Sequence, residues 1–201
     1  MTLIVGNTRY RVDFSFSLTV TLMVLFCHDD TVLLCLVSSM LHETGHLAFM
    51  YIFHQRIESV TFGAFGVRID RQFSTALSYK KEAVIAVGGI CVNLLVAFMG
   101  AVYYYLTDSI FSLKFAAVNI VIAIFNSIPI ETLDMGRVLR YTLLCFYDET
   151  KCRKILYVIS VVSVNLLALV CIIYSFCFGV NLSLIAVTVY LYAITLFKKW
   201  S

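Results

Sequence analysis

Proline and charged residues are both scarce in this sequence of 201 residues. Pro129 is the only proline, so long helices can run without interruption. Charged residues make up 13% of the chain and hydrophobic residues 61%, whereas a soluble domain averages about 25% charged and about 45–50% apolar residues. The composition therefore predicts an all-α polytopic membrane protein rather than a soluble domain.

The sequence also lacks a cysteine pair with metal-binding spacing and a cluster of basic residues. The seven cysteines form no C-x-x-C pair, and most lie in or beside apolar runs, which is typical of small apolar packing residues. Arg9, Arg11 and Asp13 precede the first apolar run and no small-residue cleavage site follows it, so we expect no cleavable signal peptide. The basic residues are scattered among the loops that flank apolar runs, so we expect no nucleic-acid partner.

Six apolar segments predict about six transmembrane helices. Their boundaries are roughly 14–27, 31–53, 83–106, 115–133, 155–178 and 182–197. A helix needs about 20 apolar residues to cross the hydrocarbon core, and the first segment falls short of that length. His28-Asp29-Asp30 is polar enough to form a turn, so we treat the first two segments as separate spans.

The distribution of Lys and Arg predicts the orientation of these spans. With six spans, all of the 15 basic residues except Lys114 fall on one side of the membrane. Loops on the cytoplasmic side carry the excess of Lys and Arg. We therefore expect an integral, multi-pass protein in the lipid bilayer, with both termini in the cytoplasm.

The most informative motif is His42-Glu43-Thr44-Gly45-His46, near the C-terminal end of the second segment. On a helix, two histidines four residues apart lie on one face and can bind one zinc ion. Glu43 lies beside the metal, where it can take a proton from a water molecule. Ionisable residues at membrane depth cost at least about 2.5–3.5 kcal/mol each, and they mark functional sites. The motif therefore predicts a catalytic zinc site with Glu43 as the acid/base.

Two histidines leave zinc in need of a third protein ligand, and the end of the fourth segment supplies a candidate. That segment returns to the cytoplasmic side, so its end lies at the membrane depth of His42 and His46. Pro129 and Gly136 break regular helix here, and irregular backbone at this depth is tolerated only where it is buried or lines a water-filled cavity. Asp134 is the preferred ligand, because a carboxylate offsets part of the zinc charge and leaves the fourth position open.

At these residues the chain resembles the site-2 protease family of intramembrane zinc metalloproteases. It looks most like the branch that includes the sporulation factor-processing (stage IV sporulation) protease. The similarity rests on H-E-x-x-H in the second segment, G-x-x-x-N at Gly89 to Asn93 in the third, and N-x-x-P-x-x-x-x-D-x-G from Asn126 to Gly136 in the fourth. Met135 replaces the usual first glycine after the aspartate, and Ile90 a frequent proline, so we expect these departures to affect substrate fit before activity.

The resemblance implies a ligand set, a reaction and a substrate class. It assigns zinc to His42, His46 and Asp134, the acid/base role to Glu43, and substrate holding to Asn126 and Pro129. The implied reaction is hydrolysis of a peptide bond in or near the transmembrane segment of a membrane-tethered regulatory protein, either a sigma-factor precursor or an anti-sigma factor, in a bacterial cytoplasmic membrane. We expect residues 1–201 to form a single transmembrane metalloprotease domain without a PDZ or CBS domain. Control would then come from a separate membrane-protein inhibitor.

The stretch 58–69, between the second and third segments, is rich in β-branched and aromatic residues and punctuated by glycines. This pattern predicts a short, membrane-associated β-hairpin or edge strand. An exposed strand edge can pair with an extended peptide, and a substrate helix has to unwind before its peptide bonds can be attacked. Phe65 and Gly66 are the predicted cleft residues. Asn93 is a further candidate for substrate binding, although buried asparagines also join helices by hydrogen bonds.

Two alternative functions would use the same zinc ligands. One is a catalytically silent membrane scaffold, which binds client proteins without cutting them. The other is a metal transporter, in which the histidines and the aspartate bind zinc in transit. Glu43 as a general base, and ligands gathered toward one end of their helices, favour the protease over both alternatives.

Overall fold

The protein is mostly helical, with a small sheet. Its structure, a computed structural model, describes residues 2–5, 8–14, 30–55, 57–63, 66–71 and 77–197. The helices in these ranges are α1 (Asp30–Ile52), α2 (Tyr79–Thr107), α3 (Ile110–Asn126), α4 (Asp134–Leu144), α5 (Glu149–Phe178) and α6 (Leu182–Phe197). The strands are β1 (Thr2–Val5), β2 (Thr8–Val12), β3 (Ile57–Gly63) and β4 (Gly66–Arg71).

Three helices in the described part of the chain, α1, α2 and α5, are long and apolar enough to cross a membrane. They contain 23, 29 and 30 residues, against the roughly 20 that the hydrocarbon core requires. The helices α3 and α6 are apolar but shorter. The second, third, fifth and sixth predicted segments overlap α1, α2, α5 and α6, whereas the first lies outside the described residues apart from Phe14. The count of six spans and the cytoplasmic termini stay predictions.

The fourth predicted segment, 115–133, is not a single helix. Helix α3 ends at Asn126, and an irregular turn, 127–133, follows it. Helix α4 then starts at Asp134. The hydropathy pattern did not predict α4, because its short sequence DMGRVLRYTLL mixes charged and apolar residues and leaves no continuous apolar run.

The chain divides into two compact units, and the first, Met1–Ser78 with Gly88–Ala123, contains the sheet. Its strand order is β1-β2-β3-β4, with antiparallel pairs at both ends and a parallel pair, β2 with β3, in the middle. The antiparallel β3–β4 pair lies between α1 and α2 and reaches from Ile57 to Arg71. The strands β1 and β2 were not predicted from the sequence. The association of the sheet with the membrane stays a prediction. The single domain over residues 1–201 also stays a prediction.

Two glycines bring the backbones of α1 and α2 into close contact within the first unit. A Cβ on Gly45 would overlap the carbonyl group of Gly88, and a Cβ on Gly88 would lie 2.7 Å from the carbonyl oxygen of Gly45. Small residues let membrane helices approach in this way. Elsewhere on α1, the buried Ser38 accepts a 2.9 Å hydrogen bond from Nδ2 of Asn119 on α3. The glycine contact lies within the H-E-x-x-H motif, and the hydrogen bond of Ser38 lies one helical turn before it.

The second unit, Tyr79–Val87 with Ile124–Ser201, has its core around Ile130 in the turn between α3 and α4. The Ile130 side chain is fully buried and packs with Val164 of α5 and Leu191 of α6. The next backbone N–H, that of Glu131, donates a 3.0 Å hydrogen bond to Oγ of Ser160 on α5. The irregular turn is therefore held by both apolar packing and a hydrogen bond.

Helix α5 begins after an N-cap residue, Asp148. Its carboxylate accepts hydrogen bonds from the Thr150 hydroxyl and, at 3.4 Å, from the backbone N–H of Lys151. The hydrogen bond from Thr150 is the largest cause that holds the pKa of Asp148 below its ordinary value. A carboxyl group with a lowered pKa stabilises the fold above its unfolded-state pKa, and this effect is lost as the pH falls through the folded-state pKa.

We predict that Asp148→Asn lowers the melting temperature of the detergent-purified protein at neutral pH, and that its difference from wild type shrinks in acid. Asparagine is a comparable N-cap, so the substitution removes the charge and keeps a capping oxygen. Thermal melting of both proteins across the acid range measures the difference. A difference independent of pH would contradict a contribution from the ionised carboxylate.

Candidate metal site

The two histidines of the motif are spaced for one metal ion. His42 and His46 lie one turn apart on α1, with 6% and 5% of their surfaces exposed. Their Nε2 atoms are 3.3 Å apart, and the rings meet edge to face with centroids 5.0 Å apart. A tetrahedral zinc ion with Zn–N bonds of about 2.0–2.1 Å requires two ligand nitrogens about 3.3–3.4 Å apart. The separation of the two Nε2 atoms fits that requirement.

Helix α2 supplies both the space beside these rings and a polar contact. A Cβ on Gly89 would lie 2.6 Å from Nε2 of His42 and 2.7 Å from Nε2 of His46, closer than real Cβ atoms come. Only glycine therefore leaves room for both imidazoles here. One turn further along α2, Oδ1 of the fully buried Asn93 lies 3.2 Å from Nδ1 of His42.

Asp134 is the first residue of α4 and is 6% exposed. A Cβ on Gly136 would overlap the carbonyl of Ile130, so the first turn of α4 folds tightly against the preceding turn. The helix dipole favours a carboxylate in this first turn. Arg137 lies 3.9 Å away with a side chain that is 59% exposed, and solvent screens such a pair.

His42 and His46 in the first unit, and Asp134 in the second, are buried side chains of the kinds that could hold a metal ion. Two imidazoles and one carboxylate suit zinc, and three protein ligands leave a fourth position for water or substrate, as in catalytic zinc sites. The residues present thus fit the metal that the motif predicts.

The other predicted site residues lie on α1, at the end of α3 and in the turn that follows α3. Glu43 is half-buried on α1, directly after His42 in the chain. Asn126 is the last residue of α3 and Pro129 lies in the turn that follows, and both are half-buried. Their proposed contacts with a substrate stay predictions.

The predicted cleft residues are described only in part. Gly66 is the first residue of β4 and pairs with Gly63 of β3, whereas Phe65 lies outside the described residues. Asn93, nominated for substrate binding, contacts His42 instead of an open surface. Its role as a substrate contact is not tested by this geometry.

The sequence interpretation missed the glycines that shape the site. Gly45, Gly88 and Gly89 were not nominated as functional residues, although Gly89 is part of the G-x-x-x-N motif. The signal was present in the Gly88-Gly89 pair, which interrupts a long apolar run. Glycine within a membrane helix is typical of close helix contacts.

No protein-family model matches this chain, and no curated protein matches its sequence. Among solved structures, the chain is similar to the Site-2 Protease from Methanocaldococcus jannaschii. The TM-score is 0.66 at 20% sequence identity, and the match covers 97% of this chain and 93% of that chain. The chain has a site-2 protease fold. The similarity at this identity concerns the fold, and the sporulation branch stays a prediction.

We predict that Gly89→Ala removes the metal site and leaves α2 helical. Alanine is a better helix former than glycine, but its Cβ would occupy the space of both imidazole rings. The zinc content of the purified protein, measured by inductively coupled plasma mass spectrometry, should fall well below that of wild type.

Gly100→Ala is the matched control for this experiment. It makes the same change on the same helix, at a position where the nearest atoms to a new Cβ, in Ala116 and Ser112, lie 3.2 Å away. This variant should keep the wild-type zinc content. Equal zinc in Gly89→Ala and wild type would contradict binding by the two rings beside Gly89.

Proposed function

We propose that this protein is an intramembrane zinc metalloprotease that hydrolyses a peptide bond in or near the transmembrane segment of a membrane-tethered regulatory protein. The observation that carries the proposal is the buried histidine pair of the H-E-x-x-H motif, with Nε2 atoms 3.3 Å apart, in a chain with a site-2 protease fold. The buried carboxylate of Asp134 is the proposed third ligand. Three helices of membrane-spanning length and composition support a reaction inside the bilayer. The solved protein with this fold is named a protease, which agrees with the proposed reaction class.

Burial of the ligands supports a metal rather than a purely structural polar cluster. A carboxylate buried in an apolar bundle is costly unless it is paired with a cation or binds a metal. The guanidinium of Arg137 is one partner of Asp134, at 3.9 Å, and is largely exposed. A divalent cation held by the carboxylate and the two imidazoles would lower the cost of burying these three groups.

Each residue then has a distinct task in peptide hydrolysis. His42, His46 and Asp134 would hold the zinc ion, with the carboxylate offsetting part of its charge. When bound, zinc would supply Lewis-acid polarisation of the scissile carbonyl and would lower the pKa of a water molecule at the site. Glu43 takes the proton of the attacking water on its carboxylate and delivers it to the nitrogen of the leaving amine.

Substrate binding is assigned to the neighbouring turn and to the sheet. Asn126 offers amide donors and acceptors at the end of α3, and Pro129 keeps the following backbone irregular. A substrate helix has to unwind before hydrolysis, and an unwound segment can pair with a strand edge near Phe65 and Gly66. We propose a sigma-factor precursor or an anti-sigma factor as substrate, in a bacterial cytoplasmic membrane, with control by a separate membrane-protein inhibitor.

We predict that Glu43→Gln abolishes cleavage while keeping one zinc per chain, because glutamine cannot accept the proton and the ligands are unchanged. Quantitative proteomics of native membranes that carry wild type or this variant should reveal a full-length membrane protein that accumulates only with the variant. That protein is the substrate. Identical membrane proteomes, with a zinc-loaded and uninhibited wild type, would contradict proteolysis and favour the scaffold.

We predict that Asp134→Ala loses zinc, because two imidazoles alone bind the ion much more weakly. Glu131→Gln is the matched control: it alters another acidic side chain in the same short stretch, and the backbone N–H that bonds Ser160 is unchanged. Metal analysis of both purified variants separates the ligand from its acidic neighbour. Full zinc content in Asp134→Ala, or an equal loss in both variants, would contradict the assignment of Asp134.

A further inference from the structure

Asn93 is the buried polar residue of α2 that contacts a candidate ligand. Its side chain has no exposed surface, and its Oδ1 lies 3.2 Å from Nδ1 of His42. The same imidazole directs Nε2 toward Nε2 of His46 on its other side. Asn93 therefore touches the nitrogen of His42 that faces away from the shared metal position.

This contact sets which nitrogen of His42 carries the proton. The amide oxygen Oδ1 can only accept, so Nδ1 of His42 must donate. A neutral imidazole with its proton on Nδ1 has its lone pair on Nε2, the atom placed for the metal. Hydrogen bonds to the second nitrogen of metal-binding histidines fix the tautomer and the ring orientation in this way.

The hydrogen bonding of the Asn93 amide is incomplete on its donor side. Among the described residues, its Nδ2 has no hydrogen-bond partner although it is buried. A buried donor without a partner costs about 1–3 kcal/mol. Asn119 on α3 likewise has a buried Oδ1 without a partner, so what distinguishes Asn93 is the identity of its one partner, a candidate metal ligand.

A second buried asparagine provides a comparison. Asn119 on α3 also has no exposed surface, but its Nδ2 donates to Oγ of Ser38 and to the carbonyl of Phe115, both at 2.9 Å. Those two bonds join α3 to α1 and to its own preceding turn. Asn119 thus has the helix-joining role that buried asparagines commonly have in membranes, whereas the contact of Asn93 is with a candidate ligand.

We infer that Asn93 is a positioning residue that holds His42 in the tautomer and ring orientation needed to bind zinc through Nε2. This inference rests on the zinc site of the proposed function and adds a residue that acts through a ligand. It also gives the two ends of the G-x-x-x-N motif separate roles. Asn93 orients a metal ligand, and Gly89 leaves space for both imidazole rings. One turn of α2 therefore serves both purposes.

The test compares three variants of the full-length protein in detergent. Asn93→Leu removes the acceptor, Asn93→Asp keeps an acceptor of nearly the same shape, and Asn119→Leu is the matched control for loss of a buried asparagine. Zinc affinity is measured by competition with a chromophoric chelator. The visible absorption of the Co²⁺-substituted proteins reports ligand geometry independently of activity.

We expect Asn93→Leu to lower zinc affinity by about 10–100-fold and to alter the Co²⁺ spectrum, as is typical when a hydrogen-bond partner of a metal ligand is lost. Asn93→Asp should bind zinc at least as tightly as wild type, because a carboxylate accepts from Nδ1 more strongly than an amide does. Asn119→Leu should keep the wild-type affinity and spectrum.

Three results would overturn the inference. They are wild-type affinity in Asn93→Leu, a tenfold or larger loss in Asn93→Asp, and an equal loss in Asn119→Leu. If Asn93→Leu does not fold, the zinc affinity of Asn93→Asp still tests the inference. A wild-type protein that binds no zinc would instead contradict the proposed function, so the two failures are distinguishable.

Discussion

The candidate site depends on the close contact between α1 and α2. Gly45 and Gly88 leave no side chain between the two backbones, and the next residue of α2, Gly89, therefore lies directly against both imidazole rings. The same approach brings Asn93 to His42. Because Gly45 is one of the two variable positions of the H-E-x-x-H motif, a single helical turn provides the ligands and the surface that packs against α2. The metal geometry is thus coupled to helix packing.

Asp134 is held by a different kind of support. Its position follows from a turn whose central side chain, Ile130, is fully buried, and whose backbone is bonded to Ser160. Gly136 lets α4 begin immediately against that turn. Each ligand-bearing element is therefore fixed by its own local packing, and a carboxylate at the start of a helix costs less than one in its middle because of the helix dipole.

Hydropathy located α1, α2, α5 and α6 because lipid-facing and buried surfaces are both apolar, which makes each helix one continuous run. It did not locate β1 and β2. The antiparallel β1–β2 pair is local, with the two residues Gly6-Asn7 between its strands in the sequence, and this hairpin signal was overlooked. The parallel pairing of β2 with β3 is too distant in the chain for a local pattern to predict. The spacing of His42 and His46 is a local signal and was found. The Gly88-Gly89 pair was a visible signal of a close helix contact and was missed, whereas one sequence does not reveal that Gly88 faces Gly45 across that contact.

The position of β3 inside the sheet restricts how an extended ligand can approach. Within the described strands, β3 pairs with β2 on one side and with β4 on the other, so its backbone hydrogen-bonding groups are used in both directions. The outer edges of this sheet belong to β1 and β4. An extended peptide that adds to this sheet would accordingly pair with β4 or β1, because one that pairs with β3 would have to displace a strand of the protein itself.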